Sequence, residues 1–184
     1  MESSNPRTNV YIDGFNLYYG CLKDTPYRWL DVEKLCELLL PGAHINRIRY
    51  FAALIQSRPE NPKAPQRQQT YLRALETIPD LSIHYGHYLS NKKRLPLASP
   101  PLIGSRIVEV IATEEKGSDV NLATYLLVDG FAGEYETAII ISNDSDLKLP
   151  IEYVRDKGYS VGILNPQQNR SWALYNAVGG AAGR

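Results

Sequence analysis

The sequence predicts a three-layer α/β domain, with a mainly parallel central sheet flanked by helices. Two continuous apolar runs, at residues 9–12 and 137–142, read as strands buried on both faces rather than as half-exposed ones. Segments of helical periodicity alternate with such strands along the chain, the pattern of crossover-connected parallel sheets. A chain of 184 residues, 43% apolar and 22% charged, is long enough to bury its own core and is globular in composition. A single domain over 8–176 is expected, followed by a low-information tail at 177–184.

The elements follow in order. After the strand at 9–12, a helix starts at Asp31, an N-cap residue, with Leu35, Leu38 and Leu39 at helical spacing, and it stops at Pro41-Gly42. Residues 45–55 read as a strand whose first half alternates apolar and polar. "RPENPKAP" is a loop, and 64–77 a helix with Tyr71, Leu72 and Leu75 on one side. Residues 81–89 form a strand, and the polar, proline-rich stretch at 90–105 is expected to be a mobile surface excursion. An alternating strand at 106–112, a helix from Ser118, the strand at 137–142, a helix at 145–157 ending at Gly158 and a last strand "YSVGIL" complete the pattern.

Composition excludes some classes of function. No apolar stretch is long enough to span a bilayer, and "MESSNPRTN" has neither a basic start nor an apolar core, so neither a membrane protein nor a secretory signal is expected. Two cysteines, Cys21 and Cys36, make a poor disulfide framework, which favours reduced thiols and a cytoplasmic location. No GxGxxG, P-loop or GxSxG motif is present. The formal net charge is zero, but the charges are segregated. Residues 44–106 hold ten Lys and Arg against three Asp and Glu, while the rest of the chain holds ten against seventeen. A basic segment of this kind suits phosphate contacts, for which Arg47, Arg49, Arg67, Arg73, Lys92, Lys93 and Arg94 are the candidates.

The chemistry lies where apolar strands break into carboxylates. In "VYIDGFNLYYG" Asp13 ends the first strand, and Asn16 could cap a helix or hold the Asp13 carboxylate through its amide. In "AIIISNDSDLKLPI" Asp144 and Asp146 stand where a strand gives way to a helix, and in "EEKGSD" Asp119 opens another helix. One such Asp is most simply an N-cap. Four of them at the carboxyl ends of strands, where open α/β sheets bind ligands, form a candidate cluster. Bringing them together without a cation costs energy or lifts pKa values. An all-oxygen set suits Mg²⁺ or Mn²⁺, ions that engage phosphates and can activate water for in-line attack on a phosphodiester. His84 and His87, three apart in a strand, point to opposite faces and make a poor metal pair.

"VYIDGFNLYYG", "EEKGSDVNLATYLLVDGF" and "AIIISNDSDLKLPIEYV", in this order, resemble the NYN domain, a branch of the PIN-like nuclease superfamily. The resemblance implies a PIN-like Rossmannoid fold, a Mg²⁺- or Mn²⁺-dependent nuclease site and RNA as the usual substrate. By position it assigns Asp13, Asp119, Asp144 and Asp146 to the catalytic metal site, with Asn16, Ser142 and Lys116 in support. Tyr125 stands where many relatives carry a further aspartate, which puts a second metal ion in doubt. The expectation is a metal-dependent ribonuclease-like hydrolase that binds RNA, with a homodimer left open. The alternatives are a catalytically weak PIN-like module that binds RNA or a protein, and a phosphatase, although the DxDx[TV] motif of the latter is absent.

Overall fold

The computed structural model describes residues 5–59 and 61–179. Of the expected tail, residues 180–184 therefore lie outside the described residues, while Ala177 ends a helix and is buried. Six strands form one sheet in the order β4-β3-β2-β1-β5-β6. They are β1 (Arg7–Asp13), β2 (His44–Ala53), β3 (Leu81–Pro96), β4 (Ile107–Lys116), β5 (Thr137–Ile141) and β6 (Ser160–Leu164). Pairings β1·β2, β1·β5, β2·β3 and β5·β6 are parallel, and β3·β4 is antiparallel, so the sheet is mixed although mostly parallel.

The central strand shows why this arrangement forms. Every residue of β1 after Arg7 is buried, and its side chains divide by the two-residue period of a strand. Val10 and Ile12 point to one face, where Ile48 and Tyr50 of β2 join them under α2 (Val32–Leu39) and α3 (Ala64–Leu75). Tyr11 points to the other, with Phe51 and Ile140, under α4 (Ser118–Phe131), α5 (Lys148–Asp156) and α6 (Trp172–Ala177). Both faces are thus covered, as continuous apolar strands require. The expected cap holds: Asp31 accepts a hydrogen bond from the Lys34 backbone N–H at 3.0 Å. The buried residues of α2 are Val32 and Cys36, whereas Leu38 and Leu39 are exposed.

Two expectations change. The stretch at 90–105 is not a loop throughout. Residues 90–96 continue β3, which leaves the parallel sheet after Gly86 and pairs from His87 to Pro96 with β4 as a two-stranded ribbon. Most residues of the ribbon's outer half face solvent, so lysine and arginine stand in it at no cost of burial. The short helical turn after β1, α1 (Gly14–Leu17) with a wider turn at Tyr18–Leu22, and the terminal α6 were not anticipated.

No helix among the described residues is long and apolar enough to cross a membrane.

Candidate catalytic site at the strand ends

Asp13 is the last residue of β1 and only 3% exposed. Its carboxylate accepts hydrogen bonds from the Asn16 backbone N–H (2.9 Å), the Asn16 amide (2.7 Å) and the Ser142 hydroxyl (3.0 Å). Of the two options for Asn16 the structure takes the second: its amide holds the Asp13 carboxylate, while Asp13, not Asn16, caps α1. Burial raises the Asp13 pKa, these donors oppose the rise, and Asp144 adds to it.

Ser142 follows β5, the neighbour of β1, and also accepts from the Asp144 backbone N–H at 3.1 Å. Asp144 in turn caps the turn Ser145–Leu147 through the Asp146 N–H at 3.0 Å. The loop after β6 closes over this side. Gln167 donates to the Asn16 side-chain oxygen at 2.8 Å, and the Asn143 amide donates to Gln167 at 3.0 Å. A Cβ at Gly20 would lie 2.8 Å from the Pro166 carbonyl oxygen, so glycine there lets the two segments meet.

Asp119 arrives from the other side, in the first turn of α4. Its pKa is pushed up to about 6, by burial first and then by Asp13, Asp144, Glu115 and Asp146 in falling order. The predicted aspartates therefore share one electrostatic neighbourhood, with Glu115 as an added member. Glu115 accepts from the Ser118 N–H at 3.1 Å and so serves the start of α4 in place of a side chain from Gly117. A Cβ at Gly86 would come 2.4 Å from Glu115 Oε1 and 2.9 Å from the Ser118 nitrogen, so glycine in β3 lets the α4 start sit this close. Glu115, Lys116, Asp119 and Asp146 line a cavity of about 300 Å³. Lys116 reaches Glu114 at 3.3 Å, not an aspartate of the cluster.

Among the described residues no three His, Cys, Asp or Glu side chains stand close enough together to form a ready-made metal cage. The donor set is nonetheless all oxygen, and the raised Asp119 pKa registers the repulsion that a cation would relieve. The residues fit a hard divalent ion in chemistry, and closing on one requires side-chain rotation.

The basic residues separate. Arg49 is inside the protein, against expectation: its guanidinium grips both oxygens of Asp129 at 2.7 Å each, packs on the Tyr125 ring at 4.3 Å and meets His84 at 3.0 Å. Burying a guanidinium requires such a partner, so Arg49 is not available to a phosphate. This also places Tyr125 in the Arg49 cluster, stacked on His84 at 4.0 Å. Arg47 pairs in register with Asn9, four residues before Asp13, which sets it about 13 Å back along the sheet, with Glu134 at 3.5 Å. Arg67 and Arg73 are exposed on α3. Lys92, Lys93 and Arg94 stand on the ribbon, the first two paired with Glu109 and Glu114. Burial and Arg49 lower the His84 pKa to about 4.

The fold is a mostly parallel α/β sheet with acidic side chains near the ends of adjacent strands. The chain matches the NYN domain over residues 7–180 and belongs to that family, within the PIN-like superfamily. It is 32% identical, over 93% of its length, to 6-hydroxy-3-succinoylpyridine 3-monooxygenase HspA of Pseudomonas putida (strain DSM 28022 / S16), and it spans 64% of that protein. A crystal structure of a protein of unknown function from Vibrio parahaemolyticus RIMD 2210633 has a similar fold, with a TM-score of 0.57 at 12% identity, over 97% of this chain and 93% of the other.

Proposed function

We propose that this domain is a metal-dependent ribonuclease-like hydrolase, built as a three-layer PIN-like Rossmannoid and acting on RNA phosphodiester bonds. The observation that supports it most is Asp13: a nearly buried carboxylate, held by Asn16 and Ser142, beside an Asp119 raised to about 6 by burial and then by its acidic neighbours. Asp13, Asp119, Asp144 and Asp146 would hold Mg²⁺ or Mn²⁺, with Glu115 at the margin. When bound, the ion supplies charge neutralisation at the scissile phosphate and a more acidic water. Asn16 and Ser142 fix the orientation of Asp13, so that it meets substrate without reorganising. One aspartate of the cluster would serve as general base. Arg67, Arg73, Lys92, Lys93 and Arg94 would contact the RNA backbone. A cytoplasmic location and a homodimer belong to the same proposal.

The test is cleavage of end-labelled single-stranded RNA with Mn²⁺, Mg²⁺ or EDTA, by the native chain and by Asp13→Asn and Asp144→Asn. Metal-dependent cleavage lost in both variants supports the reading. Cleavage that survives both substitutions points to a contaminating nuclease and removes it. RNA binding without cleavage under any metal would favour the weakly active module.

A second reading comes from the relative: the same acid-lined site would serve oxidation of a small heteroaromatic acid, as the name of the Pseudomonas protein describes for that protein. The identity over 93% of this chain favours it, and the relative's greater length weighs against transferring the activity whole. Oxygen consumption with 6-hydroxy-3-succinoylpyridine and a reductant separates the two readings.

A further inference from the structure

Beside the segment that follows Asp13 lies a second cavity of about 290 Å³, lined by Gly14 and Phe15 among others, which the nuclease reading leaves without a role. Its walls are aromatic: Phe15, Trp29, Tyr50 and Tyr71 all line it. Trp29 meets Tyr71 edge-on at 6.2 Å, and Tyr71 meets Tyr50 at 6.4 Å. Tyr71 is fixed by donating to the Leu30 carbonyl at 2.8 Å. Phe15 packs edge-on against Tyr88 of β3 at 6.2 Å. Three exposed cations line it, Lys23, Arg28 and Arg67: Lys23 lies over the Tyr19 ring at 5.4 Å, and Arg67 is steadied by Asn61 at 2.6 Å.

One group in this cavity calls for a ligand. Tyr50 is only 5% exposed and lines the cavity, with no hydrogen bond from its hydroxyl to another described residue. It lies where the cavity borders the acid site: a Cβ on Gly14, the residue after Asp13, would be 2.7 Å from that hydroxyl. A hydroxyl that faces the cavity is free to meet a polar atom of a ligand. Aromatic walls, a polar group at the depth and cations at the mouth are complementary to a flat ring that carries hydrogen-bonding atoms and a negative charge.

We infer that this cavity is a binding subsite for a planar heteroaromatic ring bearing an anionic group. The ring stacks between Trp29 and Phe15, a ring heteroatom meets the Tyr50 hydroxyl, and Arg28 and Arg67 hold the anion. A nucleotide of an RNA strand has this chemistry, and so does a small pyridine carboxylate. The subsite deepens the nuclease reading by supplying a base-sized socket next to Asp13, and its existence does not depend on turnover.

The experiment is isothermal titration calorimetry of the full chain in EDTA, so that neither metal nor catalysis contributes. The probes are adenosine 5′-monophosphate, uridine 5′-monophosphate and pyridine-3-carboxylate, with adenosine (ring without anion) and ribose 5-phosphate (anion without ring) as controls. The subsite requires that at least one ring-plus-anion probe bind more tightly than both controls. Arg28→Glu/Arg67→Glu should weaken that probe at least about tenfold, and Tyr50→Phe several-fold, both with unchanged melting temperature. Preference for the nucleotides assigns the source to nucleic acid; preference for the pyridine acid assigns it to a small molecule. No binding at millimolar concentration, or binding that neither variant alters, overturns the inference. Because cleavage is not read here, failure leaves the nuclease proposal standing, and an RNA-cleavage failure leaves the subsite standing.

Discussion

Asp119 and Asp129 are acids on one helix with opposite solutions to burial. Asp129 is neutralised: Arg49 and the Tyr11 hydroxyl, at 2.8 Å, satisfy it. Removing one partner strands the other, so Asp129→Ala should cost about 3–5 kcal/mol in urea unfolding, and Arg49→Met/Asp129→Leu should recover most of it. Asp119 is partly buried beside other acids with no paired cation, and burial first and then those acids give it a pH signature. Its folded pKa of about 6 lies above its ordinary value of 3.8, so the folded state binds the proton more tightly than the unfolded chain does. Its contribution to stability is thus present in acid and is lost as pH rises through 4 to 6, leaving a net penalty at neutral pH. In EDTA, Asp119→Asn should melt above the native chain at neutral pH, with the gap closing as pH falls through that window. A gap independent of pH would show that repulsion is not its source. These two residues also mark what could be read in advance. Asp13, Asp119, Asp144 and Asp146 were legible because each breaks an apolar run or opens a helix. Arg49 was misread because its alternation with Ile48 and Tyr50 looks like a solvent face, while the acid that neutralises it lies 80 residues away.

At the scale of elements, the parallel strands announced themselves because burial on both faces demands uninterrupted apolar residues. Alternation at 106–112 also announced β4, but the outer half of β3 at 90–96 was not announced, because a solvent-open strand of polar and charged residues carries no hydrophobic period. Lys92, Lys93 and Arg94 read as loop residues yet pair in register with Ile111, Val110 and Glu109. A rigid ribbon is a better platform for phosphate contacts than a mobile loop, since its side chains are positioned before binding. Reversing all three charges to Glu should leave the melting temperature nearly unchanged, as exposed substitutions do. It should also weaken RNA binding and flatten the dependence of affinity on salt. If affinity for RNA and its salt slope both persist, the ribbon is not the contact surface, and attention moves to Arg67 and Arg73 on α3. The missed helical turn at Gly14–Leu17 has a different cause: it is set by Asp13 capping its own successor segment, a local hydrogen bond that apolar periodicity does not register.

For the whole molecule, a similar fold at 12% identity means that the order of strands and helices outlives nearly all particular side chains, so the fold alone does not specify chemistry. What distinguishes this chain is the tension built into one end of its sheet. A buried Asp13 and a raised Asp119 share a region with Asp144, Asp146 and Glu115, and no ready-made cage relieves them. That tension makes a thermodynamic prediction independent of any substrate. A cation that binds these acids only in the folded state must stabilise the whole domain by mass action. The gain is about 2.7 kcal/mol at a hundredfold excess over Kd, roughly 5–10 °C in melting temperature for a domain of this size. Mn²⁺ and Mg²⁺ should therefore raise the melting temperature progressively. Asp13→Asn/Asp144→Asn should start higher in EDTA, because repulsion is removed, and should respond little to either ion. The two curves should then cross as metal is added. Parallel curves, with the variant above the native chain at every concentration, would falsify the metal site and leave the acids as a purely destabilising cluster.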